Sequence, residues 1–402
     1  MSTNILDTID MRELGKELQQ ARIRRGLTQE DAARIINVAR TTMTAIEKGE
    51  RRIRADELIK LAQAYNRQIS DFVRSCPKVE LIGVQFRGLS MCTEEDKATI
   101  TTAIDDLEKL CRHYLELEQI TGSPLIRKYP LEYETTGLPT AQASESIAIE
   151  ERHRLGLGDG PIPILRDILE QDVGLRIFYL PLCPLKVSAI YFYVDPLGGC
   201  IAINNLHPEE QRSWSLARSY AYFLVHRHQP TVFIEEGHQR LPESERFAES
   251  FARSFLMPTS GLIRHFNDIH RTKGKITPAD LCTLAHYYGV PVAEITLRLE
   301  DMKLLPNGIW EKLRTSRLKV PEAQQQPDLD TLFAHDEQLP IRYQYLAVEA
   351  FDRAFITEGQ FASFLRVDRL EARRIAELLR PYTQDATDGT IIDIDMTQPL
   401  GA

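Results

Sequence analysis

The sequence predicts a mainly α-helical chain with a small β-sheet. An N-terminal five-helix bundle leads into an α+β body and then a helical C-terminal region. Three observations carry this prediction. Apolar residues recur at helical spacing through residues 11–75 and again through 339–380. Three strand-like runs, LRIFYLPL, VSAIYFYV and CIAINN, crowd between residues 175 and 205, parted by Pro and Gly clusters. Two strongly helical stretches, 213–227 and 243–257, follow them.

At 402 residues the chain is long enough for about two to four domains. Composition shifts suggest boundaries at 1–75, 76–139, 140–320 and 321–402. A hydrophobic content of 43% beside 27% charged residues fits a globular protein, and no apolar run reaches the ~18 residues of a membrane helix. The first residues, MSTNILDTIDMRELGK, are acidic without an apolar core, unlike a signal peptide. The six cysteines (Cys76, Cys92, Cys111, Cys183, Cys200, Cys282) include no CxxC pair, so reduced thiols and a cytoplasmic location are expected. The net charge of −9 argues against nucleic-acid binding by the chain as a whole. Residues 1–75, however, hold 14 Lys and Arg against 11 Asp and Glu, a balance of +3 that leaves −12 on the remainder. A mildly basic head on an acidic body fits a DNA-binding module joined to something with another task.

In the head, Leu14, Leu18, Ala21 and Arg22 set the period of a first helix, which Gly26 ends. Thr28 caps a second helix, with Asp31 placed to close a capping box. A turn at Asn37-Val38-Ala39 leads to a third helix that stops at Gly49. A fourth spans 54–65 with Leu58, Leu61 and Ala62 inward, and a short fifth surrounds 69–73. Two short helices joined by a tight turn form a helix-turn-helix, whose second helix enters the major groove. Val38, Met43 and Ile46 point inward, leaving Arg40, Thr41, Thr42 and Thr44 to face bases. Gln29, at the start of the second helix, is placed to meet a phosphate or a base edge, and Lys48, Arg51 and Arg52 suit the DNA backbone. With Leu27, Thr28, Gln29, Ala33, Val38, Ile46, Glu47 and Gly49 at the expected spacings, this segment resembles the XRE (Cro/C1-type) helix-turn-helix family. Asn37 stands where that family often has Gly, and Asn tolerates the left-handed backbone needed there.

Residues 76–139 read as a connector: a strand-like run, VELIGVQF, then a long helix from Thr93 that Gly122 and Pro124 break. The long helix suits either a dimer contact or packing within the chain.

In the body, Leu216, Tyr220, Phe223 and Leu224 mark one apolar face of the 213–227 helix, and Arg218, Tyr222 and His226 lie four apart on another. A helical zinc-peptidase motif would place two His ligands and a Glu base on such a row. The closing block Glu245, Ala248, Phe251, Ala252, Leu256, Met257 and Pro258, with IAINN before and Leu216-Ala217 directly ahead of residues 218–222, resembles the ImmA/IrrE metallopeptidase family. That resemblance implies a zincin-like α+β fold, HExxH at 218–222 and a third zinc ligand at Glu245. The sequence departs at the decisive place: Arg218-Ser219-Tyr220-Ala221-Tyr222 stands where HExxH is expected. An Arg has no lone pair for a metal, Tyr is a poor ligand near neutral pH, and Ser219 cannot act as a carboxylate base. A substitute set of His226, His228 and His238 is disfavoured, since residues i and i+2 do not share a helix face. An Arg218–Glu245 ion pair across the old site is expected instead. A helical pair in 276–306 reads as a second helix-turn-helix-like unit, either structural or a further contact surface. VPEAQQQPD reads as a linker, and the last 20 residues as extended or disordered.

The reading reached is a DNA-binding transcriptional regulator, a repressor by preference, binding a double-stranded operator as a homodimer. Its body is read as a pseudo-peptidase with no catalytic or metal-binding residues, no cofactor and no membrane association. Arg218, Ser219, Tyr222, His226 and Glu245 would line a vestigial pocket for a small anion or peptide. The alternatives are a divergent zinc peptidase that cleaves a repressor, and an antitoxin or defence-system regulator that binds a protein partner.

Overall fold

The computed structural model describes residues 10–65, 67, 69, 72, 86–89, 92–135, 137–235, 242–315 and 338–387. The expected fifth head helix, the run VELIGVQF, the linker at 320–328, His238 and the final residues fall largely or wholly outside these. The chain divides into two compact units, Met1–Cys76 and Pro77–Ala402.

The first unit is a bundle of α1 (Met11–Arg24), α2 (Gln29–Ile35), α3 (Arg40–Glu47) and α4 (Ala55–Ala64) around Leu14, Leu18, Met43, Ile46, Leu58 and Leu61. Asp10 caps α1 by accepting from the Arg12 amide. Thr28 and Asp31 form the expected capping box at α2. Asn37 adopts the left-handed conformation, φ 59°, in the turn before α3. Gly49 follows α3 at φ 72°, and a Cβ there would lie 2.6 Å from the Arg12 Cα. Both its backbone angle and its closeness to α1 therefore require glycine.

The second unit is built on a four-stranded sheet: β1 (Arg176–Leu180), β2 (Val187–Val194), β3 (Gly198–Asn204) and β4 (Thr231–Ile234), in the order β1-β3-β2-β4. β1 runs parallel to β3, and β2 runs antiparallel to β3 and β4. The strands are apolar on both faces because both are covered. Ile177, Ala189, Tyr191, Ile201 and Ile203 face one core, while Phe178, Ile190, Phe192, Cys200 and Ala202 face the other.

On the first face lies α8 (Glu209–Val225), crossing β2 and β3. Around it pack α6 (Thr140–Arg154), the short α7 (Leu165–Ile168) with its π-helical continuation Leu169–Val173, and α9 (Glu243–Leu256). α10 (Thr259–Lys273), α11 (Pro278–Tyr288), α12 (Val292–Asp301) and α13 (Ile309–Thr315) complete that side. On the second face lies the long α5 (Glu94–Thr121), together with α14 (Ile341–Asp352), α15 (Glu358–Leu365) and α16 (Arg369–Thr387). Gly122 ends α5 in the left-handed conformation. The sequence reading set the long helix and the C-terminal helices apart as connector and tail; their described parts form one layer on the sheet that the 140–320 segment supplies. A buried ion pair ties this layer to the sheet: Arg176 Nη2 of β1 meets Glu118 Oε2 of α5 at 2.7 Å, and Arg342 of α14 reaches the same carboxylate at 3.3 Å.

Sequence periodicity gave α8 one apolar face. In the structure every residue from Trp214 to Val225 is buried, because the sheet, α6 and α9 enclose the helix. The helix also ends earlier than expected, with His226 as its C-cap at φ −132°. β4 and α10 were not anticipated.

Candidate functional site

In the head, Arg40, Thr41 and Lys48 are exposed along α3, with Thr42 and Thr44 half-buried. This outer row can face a groove because Met43 and Ile46 hold the inner face in the core, at 0% and 2% exposure. A buried polar brace sets the angle of α3. Arg22 of α1 donates to Glu47 of α3 through Nε at 2.6 Å and Nη2 at 3.1 Å, and its Nη1 donates to the Leu27 carbonyl at 2.8 Å. Gln29 of α2 donates from Nε2 to Glu47 Oε2 at 2.8 Å and accepts from the Thr44 hydroxyl at 3.2 Å. One carboxylate thus joins three helices, and the Arg22 guanidinium is held all the more firmly protonated, chiefly by its hydrogen bond to Glu47.

Two predicted DNA contacts are placed differently from expectation. Gln29 is engaged within the brace. Arg51 is half-buried and grips the Glu57 carboxylate with both terminal nitrogens, at 3.1 and 2.9 Å. Lys48 and Arg52 stay exposed at the end of α3.

In the body, the row of Arg218, Ser219, Tyr222, His226 and Glu245 resolves residue by residue. Arg218 is 5% exposed, its guanidinium lies over the Phe233 ring of β4 at 5.2 Å, and its buried Nε meets no hydrogen-bond partner among the described residues. The expected Arg218–Glu245 ion pair is not formed. The two groups sit on separate helices, and Phe233 takes the face of the guanidinium. Ser219 is fully buried and donates back to the Ser215 carbonyl at 2.9 Å, a bond within its own helix. Tyr222 donates to the Ser244 hydroxyl at 3.0 Å and packs edge-on against Phe233 at 4.9 Å. Burial pushes its phenol up in pKa, with the Ser244 hydrogen bond partly opposing. His226 stacks edge-on against Tyr222 at 5.5 Å, and burial lowers its imidazole pKa. Glu245 is half-buried near the start of α9. One turn on, Glu249 has its carboxyl pulled up by burial, against which the Arg218 charge acts.

Sequence reasoning missed two participants. Glu249 lies on the same α9 face as Glu245, at i+4, a signal readable from spacing. Tyr220, taken for an apolar residue, donates its hydroxyl to the wholly buried Glu151 of α6 and accepts from Arg154 Nη2 at 2.9 Å, while Tyr133 donates to the other Glu151 oxygen at 2.9 Å. This network fastens α8 to α6 directly beside the row.

The chemistry of the donor set does not fit a zinc ion. A guanidinium offers no lone pair, and a phenol whose proton is held more tightly than usual is further from being a ligand. Among the described residues no three His, Cys, Asp or Glu side chains gather as a metal group would require.

A helix-turn-helix family model matches residues 18–72, and the model of the IrrE N-terminal-like domain matches residues 170–300. No curated protein matches the chain. Among solved structures, PlcR of Bacillus thuringiensis, crystallised with the peptide PapR7 and DNA, is 13% identical over 95% of this chain and 99% of its own, with a TM-score of 0.16. ComR of Streptococcus suis is 10% identical over 94% of this chain and 92% of its own, also with a TM-score of 0.16. At that score neither carries an argument about this chain's arrangement. The segments bounded by the two family models contain the α2–turn–α3 unit and the whole α8–α9 row. The chain therefore joins an XRE-type helix-turn-helix to an IrrE-like domain.

Proposed function

We propose that the protein is a sequence-specific DNA-binding transcriptional regulator, acting as a repressor, whose IrrE-like domain serves sensing and not peptide hydrolysis. The observation that carries this is the pairing of two features in one chain. The head presents Arg40 and Thr41 outward on a braced α3. The body carries Arg218, Ser219 and Tyr222 where a peptidase needs two imidazoles and a carboxylate. Hydrolysis by a zinc peptidase requires a Lewis acid and a base that takes the proton from water. Neither Arg218 nor Ser219 supplies such a function. A buried guanidinium, by contrast, is a standing attraction for a small anion or an acidic peptide end, which gives the vestigial row of Arg218, Ser219, Tyr222, His226 and Glu245 an effector role. Binding as a homodimer to a two-fold operator follows from how single helix-turn-helix units attain specific affinity.

The test is genome-wide capture of bound DNA with the wild-type chain and a Thr41→Ala/Thr42→Ala double variant. A shared operator recovered by the wild type and lost in the variant is expected. Identical capture by both would overturn the assignment of α3 as the reading helix.

A further inference from the structure

A cavity of about 170 Å³ opens where α7, β1, the start of α8 and the start of α14 meet. It is separate from the vestigial row. Arg218 lies against β4, whereas this cavity lies against β1, and the two strands are opposite edges of the sheet. Two buried arginines of the cavity share one aromatic platform. The Arg166 guanidinium lies 4.4 Å from the Tyr179 ring centre and that of Arg212 lies 5.3 Å from it, with 6% and 7% residue exposure. Stacking fixes both guanidiniums in place, so binding a carboxylate between them costs little further ordering. Arg166 also spans to Glu170 at 3.3 Å and donates to the Ile177 carbonyl at 3.0 Å, which anchors it further.

The same cavity holds the opposite charge. Asp167 and Glu209, both half-buried, line it together with the arginines, and Leu216 supplies apolar wall. A simple anion would meet two carboxylates in that space. A molecule carrying both charges on one carbon meets each in turn.

We propose that this cavity binds a small zwitterion with a compact apolar side chain, that is, a free α-amino acid. Its carboxylate rests on Arg166 and Arg212, its ammonium on Asp167 and Glu209, and its side chain on Leu216. The volume suits such a ligand and is below that of drug-sized pockets. Because Ile341 of α14 also lines the cavity, a bound ligand bridges the two layers that sandwich the sheet. The proposal does not depend on how the Arg218 row is read.

Isothermal titration of the full chain with L-leucine, N-acetyl-leucine and leucinamide tests it. Saturable leucine binding at one site per chain, lost with both blocked compounds, is expected. N-acetyl-leucine or leucinamide binding as well as leucine would overturn the zwitterion reading, and so would no binding of leucine. Arg212→Gln should abolish leucine binding; should that variant misfold, Asp167→Asn keeps the test, with an expected loss of about tenfold or more in affinity. Unchanged leucine affinity in Asp167→Asn would refute the assignment.

Discussion

Arg218 and Phe233 face each other with the guanidinium carbon 5.2 Å from the ring centre, and the nearly buried cation also acts on the Glu249 carboxyl of α9. A cation–π contact of this kind returns about 0.5–2 kcal/mol, less than the several kcal/mol that desolvating a charge costs. On that balance Arg218 is expected to cost stability. Arg218→Met should raise unfolding free energy by roughly 1 kcal/mol in urea titration. A loss above about 2 kcal/mol would mean the guanidinium is paired in solution.

The brace at Glu47 predicts a different outcome. Glu47→Ala leaves the buried Arg22 guanidinium and the Gln29 amide without their shared acceptor. Breaking a buried pair from one side costs about 3–5 kcal/mol. The head should unfold before the body in a denaturant melt, and operator affinity should fall with it. A single unshifted transition would show that the brace contributes nothing.

Lys48 and Arg51 separate phosphate contact from internal structure. Lys48→Ala should weaken binding to all DNA sequences alike and lower the salt dependence by about one released counterion. Arg51→Ala should leave that slope unchanged and instead destabilise the head, because its fork is closed on Glu57. Equal salt slopes in wild type and Lys48→Ala, measured by fluorescence anisotropy across a salt series, would contradict the placement.

These contrasts show what could be read before the fold was seen. The caps and turns of the head were legible because each is a short-range backbone requirement: Thr28 with Asp31, Asn37 and Gly49 all behave as their chemistry dictates. The strands at 176–204 were legible as apolar runs, and both family resemblances rested on spacing. The inward turn of Gln29 and Arg51 was not legible, since a polar side chain reads alike whether it faces water or a buried carboxylate. Nor was the full enclosure of α8, because a 3.6-residue period marks one face and says nothing about layers added from elsewhere in the chain. β4, with only four residues, is too short to show alternation. The Arg218–Glu245 pairing failed for a further reason: spacing along two helices does not fix which carboxylate, or which ring, a long side chain meets.

Glu170 supplies a pH signature. It is buried beside Arg166, and burial raises its carboxyl to about 7 despite that partner. Its unfolded value is near 4.5, so the folded state holds the proton more tightly. Stability from this group is fully present below that value, falls as pH rises between there and about 7, and then levels off. The fall amounts to roughly 3 kcal/mol at about 1.4 kcal/mol per pH unit. Glu170→Gln should flatten that part of the stability–pH curve; a wild-type curve that rises through the same interval would contradict it.

The most direct test of the central claim is the zinc content of the full chain, purified without chelator, measured by plasma mass spectrometry beside a Glu245→Ala variant. With Arg218 and Tyr222 in the ligand row, zinc far below one ion per chain is predicted for both. One zinc per wild-type chain that disappears in Glu245→Ala would contradict it and restore a metal peptidase.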